Sequence, residues 1–379
     1  MKTVRILCVG IGGYANVGIG ALLEHYGEGY EIAGLVDPFP DGCRYLDALK
    51  AKGIPLYGSM EDFYREKSAD LAILTTPIHL HTRGILLALS HGTNVLCEKP
   101  LSGDPDDAAL INAAAEKAGR FVMIGYQWSY SRAINALKED VLAGLYGAPV
   151  LLKTMVLWPR DFAYFTRGTG WAGRLYAKDG TPMFDSIANN AAAHYLHNML
   201  YVTGKTGCAT RVTSLSADLL RVNDIENFDT AVIRFELEGG GTGLFVASHN
   251  TEKNSEPCFL YRFEKGTVTY SEEQGKIIGK GEFGERDYGD PFADVTVKFF
   301  EAIEACRTEG YLPKCGVDTA LSHALAIRAV QGCEVREVAR SAVIDDGTWR
   351  YVPALDTLLP LCYEEETMLF ERKDAEVLL

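Results

Sequence analysis

Apolar positions along this chain fall into two textures. From residue 4 to about residue 126, short unbroken apolar runs alternate with longer stretches of helical spacing. Beyond that point, apolar runs follow one another with fewer helical stretches between them. The first texture predicts strands at Val4–Val9, Glu31–Val36, Leu71–Leu74, Thr93–Cys97 and Phe121–Ile124. Helices are predicted from Ala15 onward and over Asp41–Ala51, Met60–Lys67, Leu80–Ser90 and Asp104–Ala118. Such a βαβ series builds a doubly wound parallel sheet, the Rossmann arrangement.

The second texture predicts a helix over Arg132–Leu142, a strand at Val150–Leu157, and a loop rich in glycine and aromatics from Trp158 to Pro182. A helix over Asn189–Val202 follows, then strands at Val212–Leu219, Thr230–Leu237, Gly243–Ser248 and Phe259–Phe263, then helices over Phe292–Cys306 and Asp318–Ala339. Strands in succession indicate an α+β domain with a largely antiparallel open sheet. The expected organisation is a nucleotide-binding domain at 1–126 and a substrate-binding and oligomerisation domain at 127–379, whose last stretch, Leu355–Leu379, packs back or frays.

The first strand runs into Gly10-Ile11-Gly12-Gly13-Tyr14-Ala15, a G-x-G-x-x-A pattern at a strand-to-helix junction. Gly10 permits the tight turn, Gly12 lets the backbone approach a pyrophosphate, and Ala15 allows close helix–strand packing. The second strand ends at Asp37, suitably spaced for a carboxylate that hydrogen-bonds a ribose diol; the alternative is a loop cap. That carboxylate repels a 2′-phosphate, and Pro38-Phe39-Pro40 brings no arginine to neutralise one. NAD is therefore expected over NADP.

The fifth strand leads into Glu98-Lys99-Pro100. Proline restrains the preceding residue to an extended conformation, so Lys99 projects in a fixed direction from a strand end, where open α/β sheets bind their ligands. An ordinary solvated lysine is the bland alternative.

Composition narrows the function classes. Of 379 residues, 47% are hydrophobic and 23% charged, an ordinary globular balance with room for two domains. A formal charge of −14 argues against nucleic acid or an anionic membrane as partner. Nine cysteines without a C-x-x-C pair read as free thiols suited to the cytoplasm, and no apolar run approaches bilayer length.

Taken together, Gly10-Ile11-Gly12, Asp37, Thr75-Thr76-Pro77 with His81, and Glu98-Lys99-Pro100 resemble the Gfo/Idh/MocA family, the glucose–fructose oxidoreductase and inositol dehydrogenase group. The resemblance implies cofactor contacts from Gly10, Gly12, Gly13, Tyr14, Ala15, Asp37, Thr75, Thr76, Pro77, His81, Glu98 and Lys99, and a sugar, sugar derivative or cyclitol as substrate. It also implies a homodimer or homotetramer. Family members typically carry D-x-G-x-H-x-x-D on a later helix. Here the stretch reads Asn190 to His197, keeping the histidine as His194 and replacing both carboxylates, by Asn190 and His197. At Tyr126-Gln127-Trp128-Ser129, many members have an arginine near the position of Ser129.

Oxidising a secondary alcohol requires a hydride acceptor and a group that takes the hydroxyl proton. His194 can take that proton; Lys99 can polarise the oxygen or act as the base, with Glu98 pairing against it. The division of labour stays open, as does substrate contact from Gln127, Asn190 and His197. Four- and three-residue spacings put Asn190, His194 and His197 on one helical face. No metal is expected, because the two histidines lack a third ligand. His25, His91 and His323 read as ordinary core or surface residues, while His79 and His249 stay ambiguous. Beside the NAD-dependent dehydrogenase stand an enzyme that oxidises transiently with tightly held NAD to cleave or eliminate, and a non-catalytic nucleotide-sensing regulator. Retention of Lys99 and His194 argues against the regulator.

Overall fold

The computed structural model describes residues 2–168 and 170–379; the expected loop Trp158–Pro182 includes Thr169, which lies outside the described residues. The chain packs as two units. One comprises Met1–Tyr130 with Asp294–Leu321, the other Ser131–Ala293 with Ser322–Leu379.

In the first unit, β1 (Val4–Val9), β2 (Tyr30–Val36), β3 (Leu56–Tyr57), β4 (Leu71–Leu74), β5 (Asn94–Cys97) and β6 (Val122–Ile124) form a wholly parallel sheet in the order β3-β2-β1-β4-β5-β6. The strands read as unbroken apolar runs because helices cover both faces: Ile6, Leu7, Leu71, Ala72 and Val95 are all 0% exposed. The helix expected over Asp104–Ala118 begins only at Asp107. Asp104 spends its carboxylate on the Asp106 N–H, at 2.9 Å, and so holds a turn instead of a helical residue. Gly119, at φ +60°, closes that helix in the left-handed conformation.

Beyond the boundary expected at 126, the segment Asp294–Leu321 groups with the first unit. Ile124 N–H donates to Cys315 O at 2.9 Å, and Tyr130 Oη donates to the carbonyls of Ile124 and Cys315. The returning helix Val297–Ala305 presents Phe299 against Gly18, where any Cβ would fall 2.6 Å from the ring.

In the second unit, β7 (Pro149–Leu157), β8 (Val212–Arg221), β9 (Thr230–Leu237), β10 (Thr242–Ser248), β11 (Ser255–Phe263), β12 (Gly266–Tyr270), β13 (Ile277–Gly281), β14 (Gly284–Gly289) and β15 (Val335–Glu337) form one sheet in the order β14-β13-β12-β11-β7-β10-β9-β8-β15. Its pairings are antiparallel except β7 with β10 and β8 with β15. Side chains alternate between faces. Met155, Leu157, Leu244 and Val246 pack against Leu355, Leu358, Leu359 and Cys362 of the helix Leu355–Glu365. On the β11 tyrosine, Asn198 of the helix Ala193–Thr203 donates to Tyr261 Oη at 3.0 Å. The chain's last residues pack back, with Leu369, Ala375 and Leu378 fully buried. Toward β11 and β12, Leu260, Thr267 and Thr269 stay half exposed.

Asp229, fully buried just before β9, accepts hydrogen bonds from Val222 N–H and from Asn223 backbone and side chain. Burial nevertheless pushes its carboxyl up to about 6. An unfolded aspartate ionises near 3.9, so the folded chain holds the proton through the interval between the two values and stability falls as pH rises across it. The unfolding free energy of the native chain relative to Asp229→Asn is expected to decline by about 2 kcal/mol between pH 4 and pH 7. Urea denaturation of both proteins across that range measures it, and a flat difference refutes the titration.

Candidate active site

At the carboxyl ends of β1, β4, β5 and β6 the first unit gathers most of the residues singled out from the sequence. Gly10 adopts φ +74°, and a Cβ there would meet the Thr75 carbonyl oxygen at 2.8 Å, so only glycine lets the β1 turn pass the end of β4. Gly13 has φ +57° and nothing within 4 Å of where its Cβ would stand, which leaves that side of the turn open. The helix Ala15–Glu24 then begins, with Ala15 and Asn16 N–H bonded to Gly12 and Gly13 O. Asn16 was not anticipated: its amide reaches Gly13 and Gly42 O, and its Oδ1 accepts from Arg44 N–H, fixing the turn to the segment after β2.

Asp37 is tied to the same turn. Oδ2 accepts from Ile11 N–H and Oδ1 from Phe39 N–H, both at 2.8 Å. Each oxygen keeps a second lone pair for a diol. The parts fit a dinucleotide: a glycine turn open on one side, a helix N-terminus after it, and a half-buried carboxylate at the end of β2, around the strand-order reversal between β1 and β4.

His81, 1% exposed, links the next two loops, with Nδ1 2.8 Å from Pro100 O and Nε2 2.9 Å from Thr76 O. Burial lowers its pKa, partly opposed by those two carbonyls. The ring thus holds Thr75-Thr76-Pro77 against Glu98-Lys99-Pro100.

Glu98 has an ion-pair partner that the sequence did not suggest. Its Oε1 pairs with Nζ of Lys298, a fully buried lysine on the helix Val297–Ala305, which also donates to Gly125 O at 3.0 Å. Burial works against the Lys298 ammonium, but Glu98 and Tyr14 outweigh it and hold its pKa above the usual value. The Tyr14 ring stands 4.8 Å from that ammonium, and its hydroxyl donates to Gln127 Oε1 at 3.2 Å. Gly125 is required here, since a Cβ would fall 2.9 Å from Glu98 Oε1. Half-buried Lys99 follows this network in sequence, its N–H 3.4 Å from Glu98 Oε2.

The second unit holds the remaining candidates. The helix starts at Ala193, not Asn189, so Asn190 precedes it and does not share its face with His194 and His197. Its amide donates instead to Asp185 Oδ1 at 2.8 Å, and Gly173 N–H holds Oδ2 at 2.6 Å. That loop carboxylate, 3% exposed, had no motif to reveal it. His194 is 8% exposed. His197 lies deeper, stacked on Tyr201 and 6.4 Å from the His323 ring; burial, then His323 and Lys138, pushes its pKa well below the usual value. Among the described residues no cluster of three metal-ligating side chains occurs.

Residues 4–126 match the family model described as an oxidoreductase family with an NAD-binding Rossmann fold, GFO_IDH_MocA. Those residues belong to the Gfo/Idh/MocA oxidoreductase family. Over 244 residues the chain is 30% identical to the inositol 2-dehydrogenase of Rubrobacter xylanophilus, covering 62% of this chain and 65% of the relative. Over 147 residues it is 26% identical to the 2,7-anhydro-N-acetylneuraminate hydratase of Mediterraneibacter gnavus, covering 39% and 38%. The chain spans 28% to 65% of the length of the curated relatives it matches. The fold extends further than these alignments. The WlbA dehydrogenase of Bordetella pertussis, solved with NADH and UDP-GlcNAcA, superimposes with a TM-score of 0.71 over 87% of this chain and 96% of that one, at 21% identity. Within the Gfo/Idh/MocA domain, the glycine turn, Asp37 and Glu98-Lys99-Pro100 all stand at strand ends of the parallel sheet.

Proposed function

We propose that this protein is an NAD-dependent oxidoreductase that interconverts a secondary alcohol and a ketone on a sugar, sugar derivative or cyclitol. The observation that carries the reading is the strand order β3-β2-β1-β4-β5-β6 with the glycine turn at its reversal and Lys99 at the end of β5. The similarity to an inositol 2-dehydrogenase supports the substrate class. When bound, the nicotinamide supplies the hydride acceptor. Lys99 polarises the substrate oxygen, and His194 takes or returns the hydroxyl proton. His81 and the Glu98–Lys298 pair position the loop that carries Lys99. Gln127, Asn190 and His197 are assigned to substrate contact in this reading. Leu260, Thr267 and Thr269 lie on the face through which the protein assembles as a homodimer or homotetramer, and light scattering of the purified protein measures that assembly.

The test is reduction of NAD, followed at the reduced-nicotinamide absorbance band, with a panel of sugars, sugar acids and cyclitols. Steady reduction identifies the dehydrogenase. Asp37 selects NAD over NADP in this reading. Asp37→Ser is accordingly expected to narrow the preference for NAD by about tenfold, the loss of about one charge-dependent contact. Kd values for the two nucleotides measure the change, and an unaltered ratio removes Asp37 from cofactor selection.

The similarity to a hydratase favours one second reading, since hydration changes no net oxidation state. In it the nucleotide stays bound and the substrate carbon is oxidised, then reduced again around a bond-breaking step. Product formed without accumulated reduced nicotinamide distinguishes this outcome.

A further inference from the structure

Two arginines in the second unit stand half buried on aromatic faces. The Arg160 guanidinium lies 5.4 Å from the Trp158 ring and 5.2 Å from Tyr164; that of Arg167 lies 3.7 Å from Tyr164 and 4.6 Å from Trp171. Arg160 donates to Pro159 O at 3.0 Å, and Arg167 donates to Tyr164 O and to the Tyr164 hydroxyl. Asp185 is held by Gly173 N–H and the Asn190 amide, while Glu256 accepts from the Trp158 indole at 3.1 Å and from Asn254. His249 adds no charge: its Nδ1 donates to Trp158 O at 2.8 Å, and burial, reinforced by both arginines, holds its pKa at about 3.

Half-buried guanidinium groups that form no salt bridge among the described residues suit a counter-charge that arrives with a ligand, because their planar donors match an oxyanion. The cluster adjoins His194 within the same unit. Asp185 joins the loop to Asn190, four residues before His194, and Trp158 packs edge-on to Tyr195, at 5.5 Å, the residue after it. Asn190 is a neutral amide and burial holds His197 neutral, so neither adds a negative charge beside His194.

We propose that Arg160 and Arg167 seat an anionic group of the substrate, so that the molecule handled at His194 is an acidic sugar derivative bearing a carboxylate or a phosphate ester. This inference rests on the oxidoreductase reading for its reaction, but binding tests it independently of turnover. Calorimetry of the full chain saturated with NAD is run with D-glucuronate, glucose 6-phosphate and glucose, in low and moderate salt. At least one acidic sugar is expected to bind tenfold or more tightly than glucose, and the tighter of the two tells carboxylate from phosphate. Arg160→Gln and Arg167→Gln should each weaken that sugar about 10- to 100-fold and leave glucose unchanged. Arg160→Lys and Arg167→Lys, which keep the charge should a glutamine variant fold poorly, should retain part of the affinity. Acidic sugars that bind no better than glucose, or glutamine variants that bind them as well as the native chain, overturn the seat. Binding without NAD reduction counts against the dehydrogenase alone, whereas reduction by neutral sugars with no preference for acidic ones counts against the arginine seat alone.

Discussion

Lys298→Met is expected to lower the unfolding free energy of the first unit by about 3–5 kcal/mol, the range for breaking one side of a buried ion pair. The lysine side chain is 0% exposed and that of Glu98 9%. Removing the ammonium strands the carboxylate in a poorly polarisable surrounding and leaves the Gly125 carbonyl without this donor. Methionine fills most of the volume, so the loss measures charge and not a cavity. Lys298→Met combined with Glu98→Gln removes both charges and is expected to recover most of the stability. Denaturant titration of the three variants decides it. A loss below about 1 kcal/mol in the single variant, or no recovery in the double, would mean that the pair is not an electrostatic unit. The double variant has a further use, since it folds without the charge pair and so reports through its turnover how far that pair positions the adjacent Lys99.

Legibility in the sequence followed the kind of interaction involved. Strands buried on both faces announce themselves as apolar runs, and β1 and β4 lie where the sequence placed them. Strands β12, β13 and β14 escaped notice because Gly266–Tyr270, Ile277–Gly281 and Gly284–Gly289 are short, glycine-containing and polar, and are held by neighbours instead of by their own apolar pattern. The helix before His194 was drawn too long because the alanines around it favour helix, whereas Asn189 and Asn190 use side chains to hold a turn. Lys298 was invisible for a different reason. A lysine on a helix is solvated by default, and the carboxylate that draws this one inward lies 200 residues away in sequence. The glycine turn, Asp37 and Lys99 were readable because each requirement is local: a positive φ, a strand end, a following proline.

Lys99→Ala and His194→Ala are each expected to lower kcat by about 10²–10⁴-fold, the usual contribution of a positioned proton-transfer group, with NAD affinity kept within a few-fold. Affinity should survive because the glycine turn and Asp37, which carry the dinucleotide in this reading, follow β1 and β2, whereas Lys99 follows β5 and His194 lies on the helix Ala193–Thr203. Steady-state kinetics on the substrate found in the panel, together with calorimetry for NAD, separate the two quantities. The double variant identifies the division of labour. Groups that serve one proton transfer act as a unit, so losing both should cost little more than losing the more important one, whereas independent contributions multiply. Replacing His194 with glutamine sharpens the comparison, since an amide keeps a hydrogen bond but cannot accept the proton. If His194→Gln is as slow as the alanine variant, His194 transfers the proton; if it retains most of the rate, His194 orients the substrate and Lys99 is left as the base. Turnover within about tenfold of the native chain in both alanine variants removes the pair from the chemistry, and NAD binding with no turnover in the native chain leaves the nucleotide-sensing regulator as the reading that fits.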